Sequence, residues 1–393
     1  MGNDGSNLPE EIVRAIRQVV GEGDKALHEP VFKGREWDYL KECLDSGYVS
    51  SVGEFVTRFE RALEEYTGAA HAIAVVNGTA ALHIALLLAG VEADDEVLVP
   101  ALGFIATANA VSYCGALPHF VDCEPLGLGV DAARLRDYLG DIAARRNGVC
   151  VNRKTGRVIR ALVPVHLFGH ISDMDALLAV AEEYGLRVIE DAAEALGSVR
   201  HGRHAGTWGQ LGILSFNGNK IITTGGGGAI LTDDEKLAAR ARHLTTTAKE
   251  PHPWRYRHDE VGYNFRMPNI NAALGYAQLE QLPAFLQVKR RLFSRYEEAF
   301  SPLSGLRLLE EPGGCRSNYW LQTLVLNEDM AAWQEQILEH AWKQGLMLRP
   351  AWELLNRQIP YRHMPSMPVV VAESLQQRII NLPSGVVQEA AHE

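Results

Sequence analysis

Seven short, nearly continuous apolar runs constrain this chain more than any other feature. They are HAIAVV (71–76), DEVLVPA (95–101), ALPHFVD (116–122), RALVPV (160–165), LRVIED (186–191), LGILSF (211–216) and GGAILT (227–232). Between several of them lie stretches with helical spacing, at 78–90, 105–114, 173–185 and 234–247. Strands apolar on both faces need cover on both faces, and alternation with helices supplies it through parallel crossovers. The fold class that follows is α/β, with a mostly parallel seven-stranded sheet in a large domain.

The alternation stops near residue 250. A proline- and aromatic-rich stretch follows, then a long helical run over 269–300. Strand-like YWLQTLVL (319–326) and helix-like AAWQEQILEHAWKQG (331–345) then alternate over shorter distances, which predicts a smaller C-terminal α+β domain. The first fifty residues hold helices near 9–20 and 35–46 and a turn, SGYVSSVG (46–53). The chain divides into an N-terminal helical segment on the substrate side (1–53), the large domain (54–250) and the smaller domain (251–393).

Several classes of function are disfavoured. The formal net charge of −11 repels a polyanion, and WRYRHDE (254–260), which mixes arginines with aromatics, carries its own acids. No nucleic-acid partner is expected. The start, MGNDGSNLPEEIVRAIRQVV, lacks the basic-then-apolar order of a secretory signal, and the longest apolar stretch, AALHIALLLAGV, is too short to span a bilayer. No membrane partner is expected, and the location is expected to be cytoplasmic. Five widely spaced cysteines without a CxxC pair read as inert thiols, with no metal site.

In open parallel sheets ligands gather beyond the carboxyl ends of the strands. Four such places hold reactive or anion-binding types: the segment Asn77 to Thr79, His166, Asp191, and the segment Ser215 to Lys220. The first reads either as a helix start that binds a phosphate or as plain capping by Asn77 or Thr79. Asp191 reads as a partner for a protonated heterocyclic nitrogen or as a helix N-cap. Lys220 is a nucleophilic amine if the runs flanking it bury it, and otherwise a solvated charge. A triphosphate loop is excluded, because Asn219 separates Gly218 from Lys220 and Ile221 stands where a hydroxyl is needed. Nor do the glycines after Lys220 open a helix, so a dinucleotide site is disfavoured. They instead let the backbone turn and pass close to the lysine.

The motifs GTAALHIAL, PALGFIATANAV, PVHLFGH, VIEDAAEALGS, SFNGNK, TTGGGGAI and GYNFRMPNINAALG occur in one order across roughly residues 28–350. That combination resembles the DegT/DnrJ/EryC1/StrS sugar aminotransferases, fold type I enzymes that use pyridoxal 5'-phosphate and pass through its pyridoxamine form. The resemblance implies that Lys220 bonds to the cofactor aldehyde and shuttles the proton. It implies that Asp191 pairs with the pyridine nitrogen, and that Gly78, Thr79 and Ser215 bind the phosphate. Phe104 would stack on the pyridine face, its alternative being a core phenylalanine. Asn264 would reach the phosphate of the neighbouring subunit, which implies a homodimer with active sites at the subunit interface.

Two departures stand out: Gly103 where many relatives have threonine, and Glu194 where many have glutamine. A glutamate facing the cofactor's phenolic oxygen repels it unless one of the two carries a proton. With GYVSSVGEFVTRFE and TTTAKEPHPW, Glu194 resembles the branch that makes UDP-4-amino-4,6-dideoxy-N-acetylglucosamine for bacillosamine and legionaminic acid. The expected reaction moves the amino group of L-glutamate to C4 of a UDP-4-keto-6-deoxy-N-acetylhexosamine. The alternatives are a GDP-4-keto-6-deoxymannose 4-aminotransferase, a dTDP-3-keto sugar aminotransferase, and a sugar-nucleotide sensor that keeps the fold without turnover. A dehydratase branch that replaces the lysine by histidine is disfavoured by Lys220. Both substrates, the nucleotide sugar and L-glutamate, are anionic. Candidate cations for them are His28, His166, Lys249, His252, Arg266 and Arg316, each with a structural or surface role as its alternative. Ser50, Ser51 and Tyr319 are candidate hydrogen-bonding partners, with turn formation and core packing as theirs.

Overall fold

The computed structural model describes residues 7–146 and 148–389. Seven strands form one sheet: β1 (His71–Val75), β2 (Glu96–Pro100), β3 (Leu117–Val121), β4 (Ile159–Leu162), β5 (Arg187–Asp191), β6 (Leu211–Ser215) and β7 (Gly228–Thr232). Their spatial order is β1-β7-β6-β5-β4-β2-β3. Only β7 runs antiparallel to its neighbours; β2 through β6 are parallel along every shared register. Six fall inside the apolar runs and β4 begins one residue before its run, and β2 and β7 are buried over their whole length, as strands covered on both faces must be.

The helices are α1 (Leu8–Val20), α2 (Glu36–Ser46), α3 (Glu54–Thr67), α4 (Gly78–Leu88), α5 (Ala106–Tyr113), α6 (Ala132–Ile142), α7 (Met174–Tyr184), α8 (Glu235–Thr245), α9 (Asn269–Phe300), α10 (Gln334–Lys343) and α11 (Val370–Gln376). Side-chain caps fix several starts: Asn77, Asp131, Asp173 and Asp234 each accept a backbone N–H from the first turn they precede. Helix α3 lies in a stretch given no helical reading above. Its Phe55, Val56, Phe59 and Leu63 form the buried face.

Two cores are packed. The larger surrounds the seven-stranded sheet. The smaller joins α1, α10, the far end of α9 and a four-stranded antiparallel sheet ordered Leu306–Leu308, Gln322–Leu326, Ile379–Leu382, Arg349–Pro350. Helix α1 thus packs with the C-terminal strands: Ile12, Ile16 and Val20 are fully buried there. Helix α9 serves both cores, giving Ala272, Ala277 and Leu282 to the larger and Leu292, Tyr296 and Phe300 to the smaller. Among the described residues no helix is long and apolar enough to cross a membrane.

Candidate active site

The carboxyl ends of β5 and β6 and the start of α4 open on one cavity of about 350 Å3. Strand β5 ends at Asp191, which is buried. Thr107 Oγ1 donates to its Oδ2 at 2.7 Å and the Ala193 N–H donates to its Oδ1 at 3.2 Å, so both carboxylate oxygens are oriented. No helix begins after it, which removes the N-cap alternative.

At α4 the two readings of the sequence divide between residues. Asn77 does the capping, accepting the Ala80 N–H at 2.7 Å. Gly78 and Thr79 line the cavity, and their N–H groups belong to the first turn, which has no intrahelical acceptors. Gly78 is required by packing: a β-carbon there would stand 2.9 Å from Ser215 Cβ. Gly228 obeys the same constraint from behind, since its β-carbon would stand 2.6 Å from the carbonyl carbon of Asn77. The glycine run therefore makes its close approach to the helix start, not to Lys220 as the sequence suggested.

Lys220 lies in the turn segment between β6 and β7, with its side chain 13% exposed. Its Nζ is 3.4 Å from Glu194 Oε1 and 3.9 Å from the centroid of the Trp320 ring. Glu194 is buried, and its Oε2 accepts the Phe168 N–H at 2.8 Å. Burial pushes the Glu194 carboxyl above the usual carboxylate range, while the Lys220 ammonium and the Phe168 N–H pull it back. The departure from glutamine is thus matched locally by a cation. Phe104 lines the same cavity and is 53% exposed, so it is not a core residue; Trp352 stands 6.2 Å away and stacks on Phe168 at 5.2 Å.

The substrate-side candidates are not brought to this cavity. His166 is fully buried in a structural pair: its Nε2 is 2.9 Å from Glu190 Oε2, and its Nδ1 accepts the Ser172 N–H. Arg266 bonds Glu60 at 2.6 Å and the Ala74 carbonyl at 3.0 Å. Tyr319 is a core residue, stacked on Phe293 at 4.4 Å, and burial pushes its hydroxyl up to about 12. Lys249 lies over the Tyr256 ring, and His252 accepts the N–H groups of Trp254 and Arg255, both on the exposed segment before Asn264. Asn264 and Arg316 are exposed and do not line the cavity, nor do Ser50 and Ser51, which lie in the loop before α3. His28 packs 6.5 Å from Trp320, both ring nitrogens buried without a partner among the described residues; burial and the neighbouring Lys289 and Lys220 hold its pKa well down, so it stays neutral.

Sequence reasoning missed Thr107, Trp320 and Trp352. Thr107 stands inside PALGFIATANAV, where a hydroxyl two residues into a helix reads as filler. Trp320 adjoins Tyr319 in the strand-like YWLQTLVL, but the strand begins only at Gln322, so no alternation of faces marks the tryptophan.

The residues fit the cofactor that the resemblance implies. An anion seat is formed by the α4 start and Ser215, held open by a glycine that a β-carbon would close. A carboxylate with two fixed donors stands at the base, and a lysine lines the same cavity.

Comparison with known proteins gives the same direction. The profile of the DegT/DnrJ/EryC1/StrS aminotransferase family matches residues 31–391. The chain is 40% identical over 357 residues to the GDP-perosamine synthase of Caulobacter vibrioides, covering 90% of this chain and 91% of that one. It is 38% identical over 365 residues to EpsN of Bacillus subtilis, described as a pyridoxal phosphate-dependent aminotransferase, with 91% and 90% covered. A crystal structure of a DegT DnrJ EryC1 StrS aminotransferase from Brucella abortus superposes with a TM-score of 0.80 at 30% identity, covering 90% of each chain. The name of the Caulobacter relative carries GDP.

Proposed function

Since the chain belongs to the DegT/DnrJ/EryC1/StrS aminotransferase family, we propose that it moves an amino group from L-glutamate to C4 of GDP-4-keto-6-deoxymannose, with pyridoxal phosphate as cofactor. The observation that carries the transamination chemistry is the meeting of Lys220, Asp191 and the α4 start with Ser215 in one cavity. The preference for a GDP-sugar over the UDP-sugar expected from sequence rests on the likeness to GDP-perosamine synthase.

When bound, pyridoxal phosphate supplies an electron sink for the pair released from a substrate C–H bond and carries nitrogen between two substrates. The protein's residues do the rest. The N–H groups of Gly78 and Thr79 and the Ser215 hydroxyl hold the phosphate, where the α4 dipole also favours negative charge. Asp191, oriented by Thr107 and Ala193, keeps a proton on the ring nitrogen. The Lys220 amine would take the proton from the donor's α-carbon as a base and, as an acid, deliver it to the cofactor carbon that takes over the nitrogen. Phe104, half in solvent at the cavity wall, covers one side of the ring.

The active unit in this reading is a homodimer. Asn264 is exposed, outside the cavity of its own chain, and follows a segment that leaves Trp254 74%, Tyr256 82% and Val261 82% exposed. Large apolar side chains so exposed suit a subunit interface. From there Asn264 serves the partner's phosphate seat.

The test is a panel of 3-keto and 4-keto sugars on GDP, UDP and dTDP with L-glutamate, products identified by mass and NMR. A 4-amino product from the GDP-4-keto-6-deoxy sugar, at a kcat/KM at least about tenfold above the UDP and dTDP substrates, is expected; that margin corresponds to about 1.4 kcal/mol of transition-state discrimination. A preference for a UDP-4-keto-N-acetylhexosamine overturns the assignment of the sugar. Protein that stays colourless with pyridoxal phosphate and is unaltered by borohydride overturns the enzyme reading itself.

A further inference from the structure

Three residues pin one tryptophan, and that tryptophan touches the amine of Lys220. The Trp320 backbone N–H donates to Asn318 Oδ1 at 2.8 Å, its carbonyl accepts from Lys289 Nζ at 2.8 Å, and its indole N–H donates to the Asn219 carbonyl at 2.7 Å. The last bond ties the ring to the residue next to Lys220, and the ring face lies 3.9 Å from Lys220 Nζ. Every polar group of Trp320 is therefore engaged, and its side chain is fixed relative to the turn that carries the lysine.

Each of the pins is itself fixed. Asn318 is fully buried, and its Nδ2 donates to the carbonyls of Glu194 and Leu196, both at 2.9 Å. Gly169 packs against its side-chain oxygen so closely that no β-carbon fits. One asparagine thus connects the segment bearing Glu194 to the segment bearing Trp320, the two groups that touch the lysine amine. Lys289 is fully buried on α9, and its amine donates to the carbonyls of Trp320 and Ser384, with no carboxylate paired to it among the described residues. A lysine is rarely buried without a counter-charge. Here it holds two chain segments through their carbonyls.

A lysine side chain has four rotatable bonds, and an amine that must be released from one partner and act on another needs few rotamers to do so repeatedly. An indole face attracts an ammonium, and a carboxylate 3.4 Å from the same atom gives a second, directional contact. We propose that Trp320 is a positioning residue for Lys220, setting where the free amine stands, with Asn318 and Lys289 fixing Trp320 in turn. This rests on the aminotransferase reading above, in which the amine of Lys220 alternates between a bonded and a free state.

The test compares the wild type with Trp320→Phe, Trp320→Leu and Lys289→Met. Three quantities are measured on each: the rate at which cofactor-depleted protein fixes pyridoxal phosphate in a borohydride-stable form, kcat and KM of the glutamate half-reaction, and the thermal midpoint. W320L is expected to slow fixation and kcat roughly ten- to a hundredfold with KM within about threefold, because the amine is misplaced while the substrate seat is intact. W320F keeps a ring face and is expected within about threefold of wild type in both rates. Folded W320L with wild-type rates overturns the proposal, and so do equal losses in W320L and W320F, which would indicate packing alone. If W320L does not fold, K289M decides: slowed fixation supports the proposal and a wild-type rate overturns it. Wild-type protein that forms no borohydride-stable adduct overturns the aminotransferase reading, an outcome distinct from any difference among the variants.

Discussion

Gly78 and Ser215, on different elements of the large domain, are so close that a β-carbon on the glycine would stand 2.9 Å from the serine's. The start of α4 and the end of β6 thereby form one surface with free N–H groups on one side and a hydroxyl on the other. Gly78→Ala is expected to push them apart and weaken pyridoxal phosphate binding. Ser215→Ala removes one hydrogen bond to a charged group, about 1.5–3 kcal/mol. Equilibrium titration of the cofactor, followed by its visible absorbance, measures both; affinity within twofold of wild type in G78A would mean the phosphate sits elsewhere.

Lys220→Ala is expected to bind pyridoxal phosphate without fixing it. Borohydride followed by dialysis should leave the variant colourless where the wild type keeps its label. Transamination should fall roughly a hundred- to ten-thousandfold, the range for losing a positioned acid–base group. Normal turnover in this variant would show that another amine does the work.

The Thr107 hydroxyl donates to Asp191, so Thr107→Val is expected to be milder than Asp191→Asn. Losing one hydrogen bond to the carboxylate corresponds to about 1.5–3 kcal/mol, or roughly a ten- to hundredfold fall in kcat. Rates of the glutamate half-reaction for the two variants test the order, and T107V slower than D191N would reverse the assignment.

His170 predicts a pH dependence of stability. Both its ring nitrogens are buried beside Tyr319 without a partner among the described residues, and burial lowers its pKa from 6.5 to about 4, against a smaller opposite pull from Glu311. Between those values the unfolded chain binds a proton that the folded chain does not, so stability falls as pH drops from 6.5 toward 4. At pH 5 the loss from this residue is about 2 kcal/mol. His170→Phe keeps an aromatic ring and is expected to remove that share, seen by urea unfolding at pH 7 and pH 5; an unchanged pH difference would show that His170 titrates normally. His204, also lowered to about 4 by burial, adds a fall of the same sign that the variant retains.

The sheet was legible because burial on both faces writes itself as unbroken apolar runs, and helix starts were legible where Asn77, Asp173 and Asp234 cap them. Lys220 and Asp191 stood out in the sequence because Asp191 closes the apolar run of β5 and Lys220 follows the end of β6. The cationic substrate-side candidates were chosen by charge alone, and charge does not say what a side chain is paired with. Arg266 is taken up by Glu60 and His166 by Glu190, both partners far away in sequence. Trp320 escaped for the opposite reason: its role comes from a lysine, an asparagine and a turn separated from it by up to 101 residues, and no local pattern marks such a meeting.

Helix α9 runs for 32 residues, about 48 Å along its axis, with Pro283 inside it, and gives side chains to both cores. A helix embedded at each end couples what it joins, so neither core has a boundary at which it can melt alone. Heat or denaturant should therefore take the chain apart in a single calorimetric transition, and fragments cut within α9 should be insoluble on both sides of the cut.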